Sequence, residues 1–408
     1  MTTRPEQVGL SSERLARIDS HLKGSYVDPG KIAGALTLVC RRGRVAHLSP
    51  LGLMDRERGT PMAEDTIFRI YSMTKPITSV ALMMLYEHGQ FQLDDPVHRW
   101  IPEWRNLQVF AGGNAPAFLT EPCRRPMTVR DLLTHTSGLT YGFMERTNVD
   151  RAYRKLGVGA LGKPFSGDLA EMVKALAGLP LEFSPGTAWN YSVSTDVVGH
   201  LVELISGERF DEYLRRHVFE PLGMLDTGFF VPEEKTGRFA ACYQRGPGKQ
   251  LLLMDDPLKS HYLRPPQLLG GGGGLVSTAA DYLRFCRMLL GGGELEGVRL
   301  LGRKTIELMT RNHLPGGKDL SQASVGMFSE IAMRGTGFGL GFSVNLDPVA
   351  AGGVGSAGEY AWGGAASTIF WIDPAEELIV IFLTQIFPSR TFNFRGQLKS
   401  IIYPALID

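Results

Sequence analysis

Ser72 and Lys75 stand three residues apart in the stretch IYSMTKPITSVALMMLYEHGQ. This spacing puts a hydroxyl and an amine on the same side of a helix. A serine beside an amine is equipped for acyl transfer, in which the oxygen attacks a carbonyl carbon and the neighbouring base takes its proton. The residues that follow, Ile77, Val80, Leu82, Met83, Met84 and Leu85, are apolar nearly all round the helix. That pattern predicts a buried helix, and Pro76 fits its first turn. At a buried helix start the dipole favours a developing anion and disfavours a protonated amine.

The spacing by itself is weak, because this composition yields about 0.7 Ser-x-x-Lys matches by chance. A second match, Ser20-His21-Leu22-Lys23, lies on an amphipathic segment where Leu22 belongs to the apolar face. There Lys23 reads as a solvated side chain of a last turn. A lysine at the Ser72 helix could likewise snorkel to the surface, but the buried helix behind it favours an activated amine.

Other chemistries find little support. No serine lies in the Gly-x-Ser-x-Gly elbow that an α/β-hydrolase requires. The nine histidines form no His-Glu-x-x-His pair and no close cluster, so no metal is expected, and His135 and His200 read as structural. The glycine run at 270–274 lacks the Gly-Lys-Ser/Thr of a phosphate loop and reads as a flexible turn. No cofactor is expected.

Several elements must position these residues. Ser11 or Ser12 can cap a helix carrying Leu15, Ile18 and Leu22 that ends at Gly24. Residues 32–40 and 45–51, with a turn at Arg42-Gly43, read as a hairpin. Matching strand signals return only at 338–346, 367–372 and 378–383, with Asp373-Pro374 as a turn, before a closing helix over 391–404. The segment between is mostly helical in pattern. The expected fold class is therefore α+β, an antiparallel sheet built from both chain ends and flanked by terminal helices. Residues 1–70 and 335–408 would form that part, residues 71–334 a large helical insertion, and the active site would lie at their boundary.

Bulk composition agrees with an ordinary globular enzyme. Of 408 residues, 43% are apolar and 21% charged, and the net charge of +1 offers no footprint for nucleic acid or an acidic membrane. The longest apolar runs, 80–85 and 378–383, are far short of a membrane span. The N-terminus has no apolar signal region, which points to a cytoplasmic location. Cys40, Cys123, Cys242 and Cys286 are widely spaced and read as buried free thiols. Oligomeric state leaves no trace in the sequence.

Taken together, these residues resemble the serine β-lactamase and penicillin-binding superfamily, whose motif set is S-x-x-K, S-D-N and K-T-G. The similarity is greatest to the branch holding class C β-lactamases and family VIII carboxylesterases, whose middle motif is Tyr-x-Asn. Besides IYSMTKPIT, the similar stretches are LLTHTSGL at 132–139, FSPGTAWNYS at 183–192, GGGGLVSTAADYLRF at 271–285 and WGGAASTIFWIDP at 362–374. The resemblance implies that Tyr191 relays protons between nucleophile, lysine and leaving group, and that the N–H groups of Ser72 and Ala365 form an oxyanion hole. It also places Trp362-Gly363-Gly364 on the strand that carries the third motif, where Gly363 and Gly364 let substrate approach the backbone.

Two departures from the pattern narrow the expectation. Val193 replaces the asparagine of the middle motif, and Trp362 replaces the lysine that binds a carboxylate. A literal Lys235-Thr236-Gly237 lies in a polar, turn-rich stretch and reads as coincidence. An apolar wall suits an uncharged ester better than an anionic lactam. The sequence therefore predicts a serine carboxylesterase acting on a short-chain, small-molecule ester, and Tyr141 and Phe143 read either as further substrate-pocket walls or as core aromatics. Alternatives on the same scaffold are a β-lactamase or D-amino-acid peptidase, an acyltransferase using the same acyl-enzyme, or a non-catalytic binding protein.

Overall fold

The computed structural model describes residues 2–160, 165–326 and 333–408. Helix α1, Ser12–Leu22, starts at Ser11, whose side chain accepts the Arg14 N–H, and it buries Leu15, Ile18 and Leu22. The chain does not stop at Gly24 but continues through a wider turn, Lys23–Val27, that buries Tyr26. The apolar demand of Tyr26 outweighs the low helix propensity of one glycine. The decoy serine, Ser20, is bonded to the Ala16 carbonyl, and Lys23 is exposed.

Eight strands form one antiparallel sheet. They are β1 (Gly34–Arg41), β2 (Arg44–Asp55), β3 (Thr60–Pro61), β4 (Thr336–Phe338), β5 (Ser343–Asn345), β6 (Tyr360–Gly364), β7 (Thr368–Asp373) and β8 (Leu378–Thr384). Their order across the sheet is β4-β5-β6-β7-β8-β1-β2-β3, so strands from the two ends of the chain meet at the centre, where Leu38 faces Ile381. The single strand expected at 338–346 is two. Gly339 and Gly341 turn between them, and a side chain at either would strike the Met309 carbonyl or Ser79. Close packing on neighbouring elements thus breaks a run whose composition alone favours one strand.

Both faces of the central strands are covered, which explains their unbroken apolar runs. On β8, Leu378, Val380 and Phe382 pack with Leu15, Ile18 and the C-terminal helix α6 (Phe394–Ile402), while Ile379, Ile381 and Leu383 join the larger core of the helical region. That larger core surrounds α2 (Thr74–Glu87), buried on nearly every side, and α4 (Ser194–Ser206), against which it packs; a short helix α3, Val129–Leu133, lies between them in the chain. Strand pairs that helical periodicity does not reveal also occur in the inserted region: Gln108–Asn114 with Ala117–Pro122, Cys242–Arg245 with Leu251–Asp255, and Glu294–Leu295 with Val298–Arg299, while Val276–Ser277 pairs with Phe68–Arg69 just before the insertion. A further helix, α5, spans Ala279–Leu290.

Among the described residues, no helix is long and apolar enough to cross a membrane. Three of the four cysteines are buried free thiols, but Cys123 is only half-buried. It directly follows the largely exposed second strand of the Gln108–Pro122 hairpin, and its thiol donates to the Leu107 carbonyl at 3.2 Å.

The fully buried Ile381 tests the two-faced sheet. Ile381→Ala is expected to lower unfolding stability by about 3 kcal/mol, as for other large-to-small core changes. A shifted urea midpoint with unchanged slope is the signature to look for.

Candidate active site

Ser72 lies in a single 3₁₀ turn, Tyr71–Met73, that leads directly into α2. Tyr71 is held at φ 41°, a left-handed conformation unfavourable for a bulky residue. That kink delivers the serine to the helix start. Ser72 is half-buried, whereas Lys75 is 1% exposed.

The Lys75 amine lies 3.3 Å from Ser72 Oγ, 2.9 Å from the Tyr141 hydroxyl and 2.6 Å from the Gly272 carbonyl oxygen. It also sits over the Tyr191 ring, 4.5 Å from its centroid. A carbonyl only accepts, so one N–H of the amine is committed to Gly272 while the others can exchange protons with hydroxyls. The Phe68–Arg69/Val276–Ser277 ladder brings this carbonyl there, helped by Ile70 N–H donating to the Leu275 carbonyl at 3.1 Å. One turn along α2, Thr78 donates to the Gly271 carbonyl at 2.8 Å.

The glycine run is therefore a packed wall of the site and not a flexible turn. Gly274 N–H closes it on the Gly270 carbonyl at 2.8 Å. A methyl group at Gly272 would stand 2.7 Å from Asp196 Oδ2 and 2.8 Å from the Tyr141 oxygen. Only glycine admits that approach.

The two phenols are placed by one pair of loops. Asn190 N–H donates to the His135 carbonyl, Asn190 Nδ2 to the Leu139 carbonyl and Val193 N–H to the Thr140 carbonyl. Ser194 Oγ bridges Ser137 Oγ and Ser192 Oγ at 2.7 Å each. Tyr141 and Tyr191 consequently stand 5.2 Å apart, and Phe143 stacks on Tyr141 at 4.6 Å. Behind Tyr191 lie His135, Trp189 and Trp362.

His135 is fully buried at φ 57°. Burial, and then the nearby Lys75, push its imidazole well below the ordinary value. It is a neutral support whose Nδ1 meets Ser192 Oγ at 3.2 Å. His200, paired with Glu203, is also structural. Asp196, in the first turn of α4, is a buried carboxylate that the sequence did not flag. Desolvation raises its pKa, opposed by Lys75 and by the Gly272 N–H, which donates to Oδ1 at 2.9 Å.

Strand β6 carries Trp362-Gly363-Gly364 to the site, with a division of roles that differs from expectation. Alternation sends Trp362 and Gly364 to the helical side and Gly363 to the opposite face, where a side chain would meet Arg395. Trp362 is fully buried against Tyr191 and Phe338, so it backs the site instead of lining open space. A methyl group at Gly364 would stand 2.4 Å from the Ile70 carbonyl oxygen, so this glycine admits the backbone leading to Ser72 and not a substrate. Ala365 begins the turn to β7, which Ser367 N–H closes on the Gly364 carbonyl. Lys235 pairs with Asp226 in a 3₁₀ turn, Glu233–Arg238, off any strand.

A serine and a buried lysine at a helix start, between a helical region and an antiparallel sheet made by both chain ends, define the class of β-lactamase-fold serine hydrolases and acyltransferases. The Beta-lactamase family pattern matches residues 22–400, and the chain belongs to that family. It is 38% identical to protein Rv1367c of Mycobacterium tuberculosis, over 90% of this chain and 89% of that one. It is 35% identical to esterase EstB of Burkholderia gladioli, over 87% and 86% of the two chains. Among solved structures, EstCE1, a hydrolase with promiscuous acyltransferase activity, matches with a TM-score of 0.80 at 27% identity, over 96% of this chain and 99% of that one.

The depressed imidazole sets a pH test. Below its ordinary value of 6.5 the unfolded chain protonates His135 while the folded chain does not. The unfolded state then binds more protons, so stability falls as pH drops below about 6.5. The loss of urea stability between about pH 6.5 and 5 is expected to be shallower in His135→Gln.

Proposed function

We propose that this protein is a serine carboxylesterase that hydrolyses short-chain acyl esters through an acyl-enzyme on Ser72. The observation that carries the reading is the Lys75 amine, buried, 3.3 Å from Ser72 Oγ and anchored on the far side by the Gly272 carbonyl. Lys75 takes the serine proton as Oγ attacks the ester carbonyl. The resulting ammonium is steadied by the Gly272 carbonyl and by the face of Tyr191. The proton then passes to the departing alkoxide, with the phenols of Tyr141 and Tyr191 as carriers. Tyr141 is thus more than a pocket wall, since its hydroxyl is bonded to the amine itself.

The N–H groups of Ser72 and Ala365 are assigned to the tetrahedral oxyanion, worth several kcal/mol in sites of this kind. Water then repeats the sequence on the acyl-enzyme and releases the acid. Two features support an uncharged ester as substrate: Val193 in place of an amide side chain, and Trp362, buried behind Tyr191, in place of a carboxylate-binding lysine. The 35% identity to esterase EstB supports the same reaction class.

The test is turnover of a p-nitrophenyl ester series and of a cephalosporin, with and without Ser72→Ala. Ester kcat/KM is expected to fall by at least about 10³-fold in the variant, and a slow ester should leave its acyl mass on Ser72. Turnover that survives the substitution removes the mechanism. Faster opening of the cephalosporin than of acetate and butyrate esters removes the substrate assignment.

A further inference from the structure

We propose that Asp196 is a positioning residue for Lys75, holding the glycine turn that carries the lysine's carbonyl partner and supplying the negative charge against which the amine is poised. The inference rests on Lys75 serving Ser72 as its base. It deepens that assignment by naming what sets the lysine.

One residue links the two groups. Gly272 donates its N–H to Asp196 Oδ1 at 2.9 Å and accepts from Lys75 at 2.6 Å through its carbonyl. The space where a Gly272 side chain would project is occupied by Asp196 Oδ2 and the Tyr141 hydroxyl, so the carboxylate, the turn and the phenol meet there without a gap. Asp196 is 8% exposed, on the first turn of the helix that follows Tyr191. A carboxylate in such a place is costly unless a cation answers it. Lys75 is that cation, and it acts on Asp196 by direct charge attraction.

Polar groups facing Lys75 include the Ser72 hydroxyl, the phenols of Tyr141 and Tyr191, the Gly272 carbonyl, and the imidazole of His135, which also responds to the lysine's charge. The hydroxyls and the imidazole are neutral near pH 7. Because Lys75 and Asp196 attract each other, removing the Asp196 charge disfavours the ammonium, and the amine frees its lone pair at lower pH.

Asp196→Asn separates charge from shape, because the amide oxygen still accepts the Gly272 N–H. In full-length protein with carbon-13 at lysine Cε, the Lys75 signal, assigned by its loss in Lys75→Arg, is followed by NMR against pH. Its midpoint is expected to fall by about 1 unit in Asp196→Asn, and the rising limb of ester kcat/KM against pH should move down with it. An unchanged Lys75 midpoint overturns the proposal, since a residue that only braces the turn would leave it in place. If the midpoint moves while Ser72→Ala retains ester turnover, the coupling stands and the esterase mechanism falls. Should Asp196→Asn not fold, Lys75→Met gives the reciprocal measurement. The Asp196 carboxyl, labelled with carbon-13, then titrates at higher pH than in the unsubstituted protein, and an unmoved carboxyl overturns the proposal.

Discussion

A lysine amine withdrawn from water at the start of a helix needs partners that can hold it whether it carries two protons or three. Lys75 finds a carbonyl that only accepts, hydroxyls that can give or take, and an aromatic face that welcomes positive charge. Each partner comes from a different stretch of chain. The Tyr71 kink, the Phe68–Arg69/Val276–Ser277 ladder and the hydrogen-bonded loops around residues 135–141 and 190–194 all converge on one nitrogen.

The sheet supplies a rigid base for this meeting. Its middle strands are buried on both faces, by the terminal helices on one side and the helical region on the other. Glycine at 364 lets the edge of β6 press against the Ile70 carbonyl two residues before the nucleophile. A small residue at that position thus sets the distance between sheet and serine.

Much of this was legible in the residues. Strong local signals worked: the serine cap of α1, the β1–β2 hairpin, the apolar strands β7 and β8, and the nearly all-apolar α2. The decoy motifs at Ser20 and Lys235 stand in polar local settings, one on the outer face of α1 and the other in a turn off any strand. What failed was decided by contact at long range. Gly339 and Gly341 split a strand because Met309 and Ser79 crowd them, and Tyr26 carries α1 past Gly24. Short strand pairs in the insertion bury too few alternating residues to show a period.

The sequence by itself determined the chemistry available: a serine and an amine at helical spacing, a buried helix to carry them, and an α+β frame drawn from both chain ends. Those features depend on residue type and local period, which a chain carries along its length. Only the tertiary structure decided which groups answer the lysine. Tyr141, Gly272 and Asp196 lie 66, 197 and 121 residues from Lys75 along the chain. No local pattern encodes an approach that exists only because glycine leaves room for a carbonyl, a phenol and a carboxylate to meet in one buried space.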